Sequence, residues 1–151
     1  MTKLYTFDEN NLNLYLQDHG IVHFIAKELC TMHNAAKYGL PTFVLAPMEL
    51  WENIIQTCTF LESLRNDFGA IKVISGYRTK EYNTAVDGAK DSQHMHFRAI
   101  DSCPVNGQLM SEYKKACQDY HKTAEAKQLK HGYGLYSWGV HNDFGYSYRS
   151  W

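Results

Sequence analysis

Residues 47–76, PMELWENIIQTCTFLESLRNDFGAIKVISG, contain the pattern that decides the fold. Apolar side chains recur at three- and four-residue steps over 47–68, which predicts an amphipathic helix that begins at a proline and ends before a glycine. The next run, 70–75, is apolar, rich in β-branched residues and closed by a glycine, which predicts a buried strand. A helix that leads directly into a buried strand is typical of an α+β fold.

Three further segments complete the predicted architecture. Residues 108–129 carry one apolar helical face beside a charged surface, which predicts a second helix. The tail, 132–151, is dense in glycine and aromatic residues, which suits two or three short strands that complete the sheet. Between the helices, 78–104 has little helical periodicity and suits loops that carry binding groups. We therefore predict one α+β domain, 1–151, with a small central antiparallel sheet flanked by helices.

The composition limits the classes of function. A chain of 151 residues, 44% hydrophobic and 21% charged, is the usual size of one globular domain. Its net charge of -1 gives no broad basic field, so nucleic acid is not expected as a partner. No apolar run approaches the about 20 residues that cross a bilayer, so we expect no membrane insertion.

The N-terminal segment and the cysteines indicate where the protein is made and whether its thiols are oxidised. Acidic residues and asparagines occupy the first twenty positions, which does not fit a secretion signal, so we expect synthesis in the cytoplasm. The cysteines lie far apart without a C-x-x-C pair, which predicts buried free thiols rather than a zinc knot or disulfides. They are Cys30, Cys58, Cys103 and Cys117.

The stretch 92–101, SQHMHFRAID, holds the strongest candidate metal ligands. His94 and Asp101 lie seven residues apart across a predicted loop and strand, and both residue types are natural zinc ligands. Nearer the C terminus, His141 and Asp143 would point to the same face of an extended strand, where one could bind metal while the other handles a proton. Spacing alone fits satisfied polar groups near a turn equally well.

Short motifs follow one another along the chain in a definite order. They are Ser75-Gly76-Tyr77-Arg78-Thr79, Tyr82-Asn83, Ser92-x-His94 with Ala99-x-Asp101, Gly134-Leu135-Tyr136, and Val140-His141-x-Asp143. In this order they resemble the zinc D-Ala-D-Ala carboxypeptidase family, and especially its short branch common in bacteriophages and prophages. The likeness extends from His23-Phe24 to Arg149-x-Trp151 and so covers nearly the whole chain.

The resemblance implies a role for each matching residue. By position, His94, Asp101 and His141 correspond to the three ligands of Zn²⁺, and a fourth coordination position left to water marks a catalytic zinc site. Arg78 matches the substrate-binding arginine, whose planar guanidinium suits a carboxylate or carbonyl of a peptide. Ser92 is expected to hydrogen-bond the substrate or to orient the loop.

Two positions depart from what the family shows. One lies in the pattern S-x-H-x-x-G-x-A-x-D, and the other lies three residues before the last zinc histidine. Phe97 replaces the glycine, so the backbone or the approach of substrate is expected to differ there. Trp138 stands where many relatives have an acid three residues before the last zinc histidine. Asp143 is the best replacement as general base, and its alternative role is to orient His141 by hydrogen bonding. His96, also near the metal, is expected to be a solvent-facing loop histidine.

The implied activity is zinc-dependent hydrolysis of peptide bonds in the stem peptides of bacterial peptidoglycan. Either a D-Ala-D-Ala carboxypeptidase or an endolysin-like endopeptidase would share this site, with Tyr77 or Tyr136 shaping the cleft unless they belong to the core. The alternative is a zinc-bearing binding or structural module of a virion, similar in principle to the Hedgehog signalling domain, which Trp138 favours. We expect a monomer that acts on the cell wall after release or from a virion.

Overall fold

The computed structural model describes residues 3–151 and confirms the predicted α+β class. The strands are β1 (Ile71–Ser75), β2 (Ala99–Pro104), β3 (Gly132–Tyr136), β4 (Gly139–Asp143) and β5 (Arg149–Ser150). Within the described residues they form a five-stranded sheet of order β1-β2-β4-β3-β5. All neighbours are antiparallel except β3 and β5, which run parallel. Because β4 lies at the centre of the sheet, it is buried along its whole length.

Helices precede, separate and follow the first two strands. They are α1 (Glu9–Asp18), α2 (Ala26–Leu29), α3 (Trp51–Phe68), α4 (Lys80–Ala85), α5 (Met110–His121) and α6 (Ala124–Gln128). The helix predicted over 47–68 is confirmed as α3, which follows a 3-10 turn at Met48–Leu50. It ends at Gly69, whose φ of 69° lies in the left-handed region that glycine adopts without strain.

Two predicted segments differ from the structure. The helix predicted over 108–129 is divided into α5 and α6, because the Thr123 side chain accepts a hydrogen bond from Ala126 N and so starts a new helix. The segment 78–104, predicted to be largely loop, contains α4 as well as β2. Thr79 caps α4 in the same way, and the helix is too short to show periodicity.

The sheet has one face packed on helices and one face open to a cleft. On the packed face, Ser102 of β2 hydrogen-bonds Tyr113 of α5 over 2.7 Å, and Asn142 of β4 contacts Cys117 of the same helix. The cysteines are free, and all are buried except the half-buried Cys103, in agreement with the prediction. No helix within 3–151 has both the length and the hydrophobicity to span a bilayer.

Candidate metal centre

The three predicted zinc ligands meet on the open face of the sheet. Asp101 and His141 are direct cross-strand partners on β2 and β4, and His94 lies in the turn before β2. One potential ligand atom from each side chain lies within 4.8 Å of the other two. All three residues are buried, so the surrounding protein holds their side chains in place and shields them from bulk solvent.

His94 presents one nitrogen to the centre of this group. Its Nδ1 donates a hydrogen bond to the carbonyl of Gly76 over 2.7 Å, which leaves Nε2 as the free nitrogen. Nε2 lies 3.2 Å from Asp101 Oδ2 but has no hydrogen-bond partner among the described residues. Burial lowers the pKa of His94 and keeps the ring neutral, as metal binding requires. A metal ion would satisfy this buried nitrogen, so the residues fit zinc.

His141 lies between two carboxylates. Its Nδ1 is 2.9 Å from Asp101 Oδ1 and its Nε2 is 2.7 Å from Asp143 Oδ2. Burial opposes a charge on this ring, but the hydrogen bonds to the two carboxylates outweigh it and raise the pKa of His141. The pKa of Asp101 is lowered, since its two histidine neighbours outweigh burial. The centre therefore favours a cation, either a proton on Nδ1 or a metal ion in its place.

Asp143 is held from both sides. Arg149 donates two hydrogen bonds to it, Nη1 to Oδ1 at 3.0 Å and Nη2 to Oδ2 at 2.7 Å. Burial would raise the pKa of Asp143, but the bonds from His141 and Arg149 lower it, so the carboxylate stays charged although it is fully buried. A carboxylate that fixes the far nitrogen of a ligating histidine is a recurring feature of zinc sites. Of its two predicted roles, these contacts favour the orientation of His141.

Gly76 explains part of the Ser-Gly-Tyr-Arg motif. A Cβ atom here would overlap the backbone carbonyl of Leu29, at the end of α2, which accepts a hydrogen bond from Tyr77 N over 2.7 Å. Only glycine permits this approach. Its own carbonyl accepts the bond from His94, so the motif connects α2 to the metal centre.

Arg78 lies beside the centre, as the resemblance implies. Its Nη2 is 3.4 Å from Asp101 Oδ2, its Nη1 is 3.4 Å from Asn83 Oδ1, and its Nε donates to Ser75 Oγ over 3.2 Å. The guanidinium lines the cleft next to the ligands. Asn83 also binds the carbonyl of Ala89, so the Tyr-Asn motif supports both the arginine and the cleft wall.

The other predicted substrate residues take different positions. Ser92 lines the cleft, and its hydroxyl accepts a hydrogen bond from His94 N over 3.3 Å, which orients the loop. Tyr77, expected to contact the substrate, is instead a core residue. Its ring packs edge-to-face on Phe97, with the ring centroids 6.0 Å apart. Tyr136 does line the cleft. His96 pairs with exposed Asp91 and is partly exposed to solvent.

Phe97 adopts the backbone conformation that favours glycine. Its φ is 54°, and its ring is fully buried. Two side chains of α3 fix the flanking carbonyls: Asn53 donates to the His96 carbonyl over 2.9 Å and Thr57 to the Arg98 carbonyl over 2.6 Å. The chain therefore keeps a left-handed turn before β2, and an aromatic ring anchors this turn to the core.

An aromatic wall, formed by Tyr136, Trp138 and Trp151, borders a cleft of about 650 Å³ above the ligands. Tyr136 and Trp138 stack with centroids 4.6 Å apart, and Trp151 Nε1 donates to the Tyr136 hydroxyl over 2.6 Å. The Trp151 ring also lies 5.0 Å from the ring of His141 and fills the space that a side chain at Gly134 would take. Trp138, at the position of the family acid, is 42% exposed at the cleft.

Sequence reasoning gave no role to two groups around the site. Arg149 lies six residues after Asp143, and the family-like Arg-x-Trp ending was the signal that could have indicated it.

His131 was also given no role, yet it is fully buried beneath the sheet. Its Nε2 donates to Asn142 Oδ1 over 2.8 Å, and its Nδ1 lies 3.1 Å from Nδ1 of His121. No motif in the sequence indicates this pair.

A buried His-Asp-His group on the face of a small mixed sheet, at the floor of a cleft, has the donor set of a protein that binds a single metal ion. The family model described as Peptidase M15 matches residues 22–143, and the chain belongs to this family. M15 peptidases are zinc-dependent, so the three ligands form a candidate zinc site, and membership implies hydrolysis of peptidoglycan peptides. A search of curated proteins and a search of solved structures each gave no match.

Proposed function

We propose that this protein is a zinc peptidase that cuts stem peptides of bacterial peptidoglycan, as a D-Ala-D-Ala carboxypeptidase or an endolysin-like endopeptidase of the phage and prophage type. The observation that carries the proposal is the buried Nε2 of His94, which has no hydrogen-bond partner within residues 3–151 and lies close to Asp101 and His141 on the floor of the cleft. All three residues also line the cleft of about 650 Å³, so a metal held by them would lie where a substrate can bind.

Each residue has a distinct task in the proposed reaction. His94, Asp101 and His141 would hold zinc, which when bound would supply Lewis-acid activation of a peptide carbonyl and of water. Arg78 binds a carboxylate or carbonyl of the substrate beside the ligands, since its guanidinium is already fixed by neighbouring oxygens. Asp143 fixes His141 with a proton on Nε2, and action as the general base is its competing role.

The experiment measures zinc content and the release of amino groups from purified peptidoglycan. Wild type should bind about one zinc per chain and release amino groups. His141→Ala should lose both, because three-residue coordination is broken. His96→Ala is the matched control, since that histidine lies in the same loop region but pairs with Asp91, and it should keep both properties.

The alternative function is a zinc-bearing binding module of a virion, favoured by Trp138 at the position of the family acid. Zinc bound at about one per chain without any release of amino groups would support the module and contradict the peptidase. Absence of zinc in wild type would contradict the metal site itself. Action on the wall after release from the cell, as a monomer, is part of the proposal.

A further inference from the structure

A second lobe adjoins the main cleft beside the metal centre. This second lobe has a volume of about 360 Å³, and it shares four lining residues with the main cleft, so the two lobes adjoin at these residues. The shared residues are Arg78, Val86, Asp101 and Trp138. A metal ligand therefore lies at the junction of two spaces rather than at the end of one.

The second lobe is large enough for more than a single terminal residue. Pockets that bind drug-sized ligands start at about 300 Å³. Its outer rim consists of His33, Asn34 and Lys72, which are exposed, so the lobe opens to solvent at its far end. A substrate that occupies both lobes would pass beside Asp101.

The charge of the second lobe is positive. Lys72 and Arg78 line it, and Asp101 is the acidic residue in its lining, already paired with Arg78 and the ligand histidines. Lys72 is the cross-strand partner of Cys103, which lies two residues after Asp101 and therefore on the same face of the sheet. The register thus directs Lys72 toward the side of the sheet that holds the metal centre.

We infer that the peptide crosses the metal centre, that an internal bond is cut, and that the second lobe binds a carboxylate-bearing residue of the substrate through Lys72. This inference rests on the proposed function and specifies the substrate of the same site. A carboxypeptidase would instead need the groove to end next to the bond that is cut.

The first test uses the zinc-loaded protein and synthetic stem peptides that end in a free acid, in a carboxamide, or in two additional residues. Mass spectrometry identifies the bond that is cut. We expect the same internal bond to be cut in all three, with rates that differ by about three-fold or less. Release of only the terminal residue from the free acid, with no cleavage of the other two, would overturn the inference and leave the peptidase proposal intact.

The second test compares Lys72→Gln with Lys80→Gln on a peptide with an acidic residue and on the same peptide with that residue amidated. Lys80 is exposed on α4 and lines neither lobe, so it is the matched control. Lys72→Gln should raise KM about two- to five-fold for the acidic peptide, the effect of one exposed ion pair. The amidated peptide should show no change with either variant.

The possible failures can be told apart. If wild type with zinc cuts none of the peptides and no peptidoglycan, the proposed function fails. If wild type cuts, but Lys72→Gln changes KM equally for both peptides or not at all, the carboxylate subsite is wrong. The pattern of bonds cut still decides between an internal and a terminal bond.

Discussion

At the scale of single residues, Phe97 shows two opposing effects at one position. A non-glycine residue in the left-handed region costs about 1–2 kcal/mol. Burial of a phenylalanine ring contributes more, because its loss to alanine typically costs about 3–5 kcal/mol. The ring is fully buried against Tyr77, so packing outweighs backbone strain and the chain retains an aromatic residue where the family pattern has glycine.

The comparison of Phe97→Ala with Phe97→Gly measures the two effects separately. We expect Phe97→Ala to lower the free energy of unfolding by about 3–5 kcal/mol. Phe97→Gly should be about 1 kcal/mol more stable than the alanine variant, because it removes the left-handed strain. Urea denaturation followed by circular dichroism gives both values, and an alanine variant equal to or more stable than the glycine variant would contradict the conformation at this position.

Asp143→Asn distinguishes orientation of His141 from general-base action. If Asp143 orients His141, zinc affinity should fall about 10- to 100-fold and excess zinc should restore most of the activity, which is the result we expect. If Asp143 is the base, kcat should stay about 10²- to 10⁴-fold lower at saturating zinc. Asp91→Asn is the control, since that acid is exposed at the cleft, and zinc titration with parallel kinetics makes the comparison.

The ligands could be predicted from sequence because their motif is local, whereas the contacts that support them could not. His94 and Asp101 share one short stretch, His141 lies in an H-x-D pair, and the resemblance combined the three as one ligand set. The bond of Arg149 to Asp143 depends on how the chain turns between two strands, and the stack on Trp138 depends on the β3–β4 hairpin. Such contacts carry no periodicity and no spacing rule.

At the scale of elements, β5 supports the metal centre although it has only two residues. It pairs in parallel with β3, which brings the Arg149 guanidinium to the buried carboxylate of Asp143. The Trp151 backbone continues this pairing through bonds with Tyr133 and Leu135. β5 therefore supplies the arginine that pairs with a carboxylate buried at the centre of the sheet.

Arg149→Ala should lower the free energy of unfolding by about 2–4 kcal/mol, because it leaves a buried carboxylate without its bidentate partner. Ser150→Ala is the matched control on the same strand, because Ser150 is exposed, and it should change stability by about 0.5 kcal/mol or less. Thermal and urea unfolding measure both. Equal, small effects for the two variants would show that the ion pair contributes little.

The elements themselves were predictable in proportion to their periodicity. The long apolar stripe of α3 and the β-branched run of β1 were found from sequence. The break between α5 and α6 was missed, because the apolar positions keep their spacing across Thr123 while its hydroxyl ends one helix and starts the next. Helix α4 has six residues, which is less than two turns.

At the scale of the whole molecule, the buried His121–His131 pair makes stability depend on pH. Burial lowers the pKa of His131 to about 4 and outweighs the hydrogen bond that Asn142 Oδ1 accepts from Nε2, so the folded state holds this ring neutral. In the unfolded chain the pKa is near the ordinary value of about 6.5. The unfolded state therefore binds more protons between these values, and stability is present above pH 6.5 and is lost as the pH falls toward 4.

His131→Gln should be less stable than wild type at pH 7 but should lose less stability on acidification. Between pH 7 and pH 5 we expect wild type to lose about 2 kcal/mol more than the variant, from the proton uptake of this histidine. Thermal unfolding at both pH values measures the difference. His19→Gln, at an exposed histidine, should follow wild type, and an identical pH response of His131→Gln would contradict the buried neutral ring.

The central place of β4 in the sheet has a consequence for the order of biosynthesis. β2 is translated early, but one of its hydrogen-bonding edges is complete only when β4 pairs with it, and Asp101 is 40 residues from His141. Domains fold as units while the ribosome adds residues from the N terminus. A nascent chain that has not reached His141 therefore holds only two of the three metal ligands. Zinc uptake should follow release of the sheet's last strands from the ribosome, so interrupted translation products should be inactive.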